Sequence, residues 1–132
     1  MTAAASALRK ITLNAARSKA FPDGSIRHGY DFVAPLTSDG HIDVDAWKTH
    51  RGECFAHRFW GNEPALRGLL VRRAGGVGGS TWAFEWNAAG RRDEEEEGFR
   101  FADHTFRPGE YVSLREEDGD LATFRVVSVG AP

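Results

Sequence analysis

Short runs of alternating apolar and polar residues, cut apart by glycine-containing turns, constrain this chain more than any other feature. "RKITLNAAR" (9–17) sets Ile11, Leu13 and Ala15 on one side and Lys10, Thr12 and Asn14 on the other. That period of two is the mark of a half-buried strand. "FPDGS" (21–25) follows. Its proline presets φ and its glycine accepts a positive φ, so it reads as a turn. "IRHGYDFVAPL" (26–36) then runs back, which predicts a hairpin.

The pattern recurs after residue 54. "CFAHRFW" (54–60) alternates, with Phe55, His57 and Phe59 on one face. In "ALRGLLVRR" (65–73), the run Leu69-Leu70-Val71 predicts burial on both sides. "STWAFEW" (80–86) aligns Trp82, Phe84 and Trp86 on one face, without showing whether that face is buried. "NAAGRRDEEEEG" (87–98) is too charged to pack and is expected as a polar loop, with "FRF" (99–101) a short strand. Two further strands, 110–116 and 121–129, are joined across Asp118-Gly119, a strong hairpin signal. The one departure is "TSDGHIDVDAWKTHR" (37–51), where Asp43 or Asp45 caps a short helix over Val44 to His50. The expected fold is mainly β: a small antiparallel barrel or sandwich of about seven or eight strands with one short helix. At 132 residues it is expected as one domain, with residues 1–8 a flexible lead.

Charge and cysteine content narrow the function. The net charge of −2 does not predict a nucleic-acid partner. The distribution is uneven, with Arg9, Lys10, Arg17, Lys19 and Arg27 against Asp23 in residues 1–30, and five arginines against eleven acids in 91–120. Nucleic-acid binding through the basic N-terminal hairpin is therefore a minor alternative, opposed by the acidic second half. The lone Cys54 excludes an internal disulfide. No apolar run approaches the roughly 20 residues of a membrane helix. A cytoplasmic protein is expected.

The candidate chemistry is sparse. "RRAGGVGGSTWAFEW" (72–86) lacks the lysine of a Walker A loop. Read as a dinucleotide fingerprint from Gly76 and Gly78, its third glycine is replaced by Thr81, and a strand follows where a helix is needed. The cluster reads as a hairpin turn, with Arg72 and Arg73 beside it as anion contacts. "SDGHIDVDAW" resembles the second half of a calcium loop. With Gly40 at the loop's glycine position, the first, third and last ligand positions fall on Pro35, Thr37 and Ala46, which excludes an EF-hand.

His50, Cys54 and His57 are spaced four and three apart, which on a helix would give one zinc-competent face. Gly52 interrupts that helix, and a strand points Cys54 and His57 to opposite sides. No metal or other cofactor is expected, and Cys54 reads as a small buried apolar residue. A nucleophilic role for Cys54 would need one of these histidines as its base. Of the aromatic set, most belongs to the core. Trp60 and Trp86 are the expected exposed remnant.

Two resemblances add to this. "FRPGEYVSL" with "FRVVSV" resembles the barrel strand pair of ferredoxin-reductase-type flavin domains. The flavin-contacting motif of that family is here "RVVS" (125–128), without its aromatic residue, so the likeness implies barrel strands and no flavin. The series "FPDGS…HGYDFVAPL…DGHID…HRFW…GEYVSL" resembles a group of small bacterial proteins with no assigned activity, and it brings no site residues.

The leading expectation is a non-enzymatic binding module with contacts at Arg72, Arg73, Trp60 and Trp86, for a protein or small-molecule partner. The alternative is a small-ligand or metal-dependent enzyme using His50, Cys54 and His57. The alternatives differ in one observable: the enzyme needs its three side chains to converge in one cleft.

Overall fold

Alternation decides which residues face inward, and every run with that alternation forms a strand. The computed structural model describes residues 7–73, 81–86, 95–99, 101, 104–115 and 120–132. In order these form β1 (Ala7–Ala15), β2 (Ser25–Leu36), α1 (Val44–His50), a 3-10 turn (Arg51–Glu53), β3 (Phe55–Trp60), β4 (Glu63–Arg73), β5 (Thr81–Trp86), β6 (Glu95–Phe99), β7 (Tyr111–Arg115) and β8 (Leu121–Gly130). Each strand pairs antiparallel with the next. β8 then returns to β1, from Lys10 opposite Gly130 to Ala15 opposite Phe124. The sheet is a closed barrel with neighbours in sequence order. Closure removes the unpaired edges that an open sheet must protect.

An eight-stranded barrel is just wide enough for side chains to fill it. Here the filling is aromatic. Trp82, Phe84 and Trp86 all point inward and are at most 1% exposed, which settles the face of that strand. Tyr30 stands among them, its ring 5.6 Å from Phe84, 6.1 Å from Trp86 and 5.1 Å from Phe124. Phe32, Phe101 and Phe106 extend the cluster, with Phe32 5.6 Å from Phe106 and Phe101 5.2 Å from it.

Helix α1 lies where β4 ends and β5 begins. Asp43 caps it, its carboxylate accepting from the Ala46 amide at 3.1 Å. Trp47 sends its ring to 5.2 Å from Trp82 and donates Nε1–H to the Leu70 carbonyl at 3.1 Å. Around the β1–β2 loop, Phe21 packs on His28 and Trp60, with ring centroids 4.6 and 5.8 Å away.

Four expectations need correcting. The acidic segment is not all loop: Glu95–Phe99 is strand β6, placing Glu97 between Ala83 of β5 and Arg115 of β7. The physical reason is the backbone. Without β6, the facing amides and carbonyls of β5 and β7 would be unpaired, and a barrel cannot close. Phe101 is not in a strand; its ring folds back over Gly98, where a Cβ would meet it at 2.5 Å. Leu69 and Val71 are only half-buried beside the fully buried Leu70, because β4 has the barrel interior on one side alone. Finally, β1 begins at Ala7, paired with Leu36, within the expected lead. The glycine cluster (74–79) and Asp118-Gly119 lie outside the described residues, but the strands they join pair as hairpins, Arg73 with Thr81 and Arg115 with Leu121.

Candidate functional site

The residues singled out from the sequence scatter. Cys54 is completely buried, and its thiol donates to the His50 carbonyl at 3.4 Å. His57 faces the opposite side of the sheet, where Nδ1 meets Asp31 at 2.8 Å, its in-register partner on β2. His50 Nδ1 lies 3.5 Å from Glu53. Glu53 thus neighbours both His50 and Cys54 while His57 stands apart with Asp31, and the described residues hold no group of three potential metal ligands. The His57–Asp31 pair is partly exposed and lies apart from Cys54.

Burial pushes the Cys54 thiol up to about 11 from 9.0, and the neighbouring Glu53 carboxylate adds to the rise. The thiol stays protonated at neutral pH and is a poor nucleophile. The neutral form is favoured by folding, so its contribution is complete below pH 9 and is lost as pH rises toward 11. Denaturant unfolding should show wild type losing about 1 kcal/mol more than Cys54→Ala between pH 8 and pH 10. Parallel pH profiles for the two proteins would contradict the buried-thiol assignment.

The binding residues expected from the sequence are also occupied. Trp86 is a core residue rather than an exposed remnant, because its strand turns that face inward. Trp60 is half-buried, edge-on to His28 at 4.9 Å and beneath the Arg58 guanidinium at 4.1 Å. Arg72 lies over the Trp82 ring at 5.2 Å. Arg73 is ion-paired with Glu85.

A different surface stands out. Among the described residues, five large apolar side chains are exposed: Ile26, Phe55, Tyr111, Leu121 and Val127. Ile26, Tyr111 and Val127 line one groove of about 460 Å³ on the outside of the barrel, together with Arg17, Asp23 and Arg125. The groove is built by irregular pairing. β1 shifts register against β2 between Asn14 and Ala15, and against β8 between Thr12 and Leu13. Such bulges bend a strand and increase its twist. The chain then leaves β1 into the turn where the Ser18 and Gly24 amides both donate to the Phe21 carbonyl, and re-enters at Ser25.

On the far side of the groove, Asn14, Arg125 and Tyr111 stand in one row across β1, β8 and β7. Among the described residues no ion pair engages Arg17 or Arg125, and Asp23 is bonded to neither. Sequence reasoning missed these residues because they come from separate parts of the chain. One signal was present: Val126-Val127 breaks the alternation of β8, and with Val126 inward, Val127 is left outside.

No protein-family model, curated protein or solved structure matches the chain.

Proposed function

We propose that the chain is a non-enzymatic binding module: a filled β-barrel that presents its ligand surface outside, at the groove between the β1–β2 turn and strands β7 and β8. The observation that carries this is the convergence of Ile26, Tyr111 and Val127 on one concavity that also holds two arginines with no ion pair among the described residues. Exposed apolar residues scattered singly need no explanation; gathered in a groove with convergent polar groups, they mark a contact surface. The volume of about 460 Å³ falls within the range of small-molecule sites, about 300–1,000 Å³. The aromatic filling supports an outer rather than an inner site. The burial of Cys54 and its separation from His57 favour binding over catalysis by that set. A single reduced cysteine fits a cytoplasmic setting, and among the described residues no helix is long and apolar enough to cross a membrane.

The test is a fluorescence titration with N-phenyl-1-naphthylamine, a neutral apolar reporter. Saturable binding is expected, weakened by about ten-fold or more in an Ile26→Ser, Tyr111→Ser double variant, which removes the apolar walls. Binding that is absent, or indifferent to that pair, would sink the reading.

A further inference from the structure

We infer that the groove takes an organic anion, its acidic group held by Arg125 and Arg17 and its apolar body laid on Ile26, Tyr111 and Val127. This rests on reading the groove as the binding surface. The charge balance points the same way. The chain as a whole is acidic, at −2, yet this groove sets two arginines against the single Asp23. Each described arginine singled out above for the β3–β5 surface has a partner: Arg58 on Trp60, Arg72 on Trp82, Arg73 on Glu85. Arg17 and Arg125 have none among the described residues.

Geometry supplies the rest. Arg125 sits between Asn14 and Tyr111 in register, on adjacent strands. Strands lie about 4.8 Å apart, so the row spans roughly 10 Å, the length of a two-ring acid. A guanidinium offers a planar fork that matches a carboxylate or sulfonate with two hydrogen bonds. Tyr111, 57% exposed, gives the neighbouring strand an aromatic surface for the ligand's body. Asp23 on the turn opposes a second acidic group there, which favours a singly acidic ligand with an apolar body.

Two probes share one scaffold and differ in one charge. 8-Anilinonaphthalene-1-sulfonate is N-phenyl-1-naphthylamine bearing a sulfonate. Wild type should bind the sulfonate about ten-fold or more tighter than the neutral compound. Arg125→Gln should erase that gap by loosening the sulfonate compound about ten-fold, with the unfolding midpoint unchanged, and Arg17→Gln should narrow it. Raising salt should narrow the gap in wild type and leave the neutral compound unaffected. Equal affinities in wild type, or a gap surviving Arg125→Gln, overturn the anion assignment while the groove reading stands. Failure of both probes removes both. Sedimentation supplies a further outcome: a dimer dissolved by Ile26→Arg would make the groove a contact between copies of this chain and overturn the proposal.

Discussion

Gly29→Ala is expected to cost about 3–5 kcal/mol, enough to leave the folded state barely populated. The reason is a contact that no side chain can relieve. A Cβ on Gly29 would fall 1.9 Å from the carbonyl oxygen of Leu13 and 3.1 Å from the Asn14 Cα, both backbone atoms of the paired strand. Gly29 lies opposite Asn14, at the residue where β1 shifts register. Glycine within a strand is ordinarily a weakness, unless another backbone must come close. Here the close approach forms the bend that both closes the barrel and shapes the groove. Gly68 repeats the situation on β4, with the Glu85 carbonyl 1.9 Å from a Cβ, and Gly68→Ala should be comparably destabilising. Gly52→Ala is the control: nothing lies within 4 Å of its Cβ and its φ is not positive, so stability should stay within about 1 kcal/mol of wild type. Urea unfolding of the three variants decides. A Gly29→Ala protein no less stable than Gly52→Ala would show that β1 and β2 do not approach as described.

The strands were legible because their inward residues recur at every second position, and the interior has one rule for all of them. Ile11, Leu13 and Ala15 are buried as the alternation requires; for Trp82, Phe84 and Trp86 alternation gave only their shared face, and the structure shows that face to be the buried one, Trp86 included. The helix was legible through its acidic start, where Asp43 or Asp45 was the expected cap and Asp43 takes the place, its carboxylate accepting from the open Ala46 amide. Two things were hidden. β6 reads as a solvated acidic run because its composition reports preference, while its place is fixed by the two strands that need it. The groove was hidden for a related reason. Ile26, Tyr111, Arg125 and Val127 are ordinary outward residues one at a time, and only the return of β8 to β1 brings them together. Barrel closure is a property of the whole sheet, so a surface created by closure leaves only a faint local trace, here the second valine of Val126-Val127.

Trp47→Ala should cost about 3–5 kcal/mol while leaving the strand signal in far-UV circular dichroism intact. Helix α1 spans seven residues, too short to persist alone in water. Three contacts anchor it: the Asp43 cap, the Trp47 Nε1–H on the Leu70 carbonyl, and the Trp47 ring against Trp82. Arg51 lies over the same ring, 5.3 Å from its centre. Removing the indole therefore deletes a buried ring, a hydrogen bond and the hold on the helix together. Trp47→Phe separates these effects, keeping most of the ring while leaving the Leu70 carbonyl without that donor, for about 1–2 kcal/mol. The optical consequence follows from Trp82, whose buried Nε1–H has no hydrogen-bond partner among the described residues. With Trp47 gone, water reaches that donor, and the emission of the remaining tryptophans should shift to the red. Loss of the same stability in both variants, or an unshifted spectrum in Trp47→Ala, would show that the helix does not seal this end of the barrel. If it does seal it, the opened barrel gains a second, inner site for N-phenyl-1-naphthylamine that ignores Ile26 and Tyr111, and that independence separates an apolar core laid open from the groove outside.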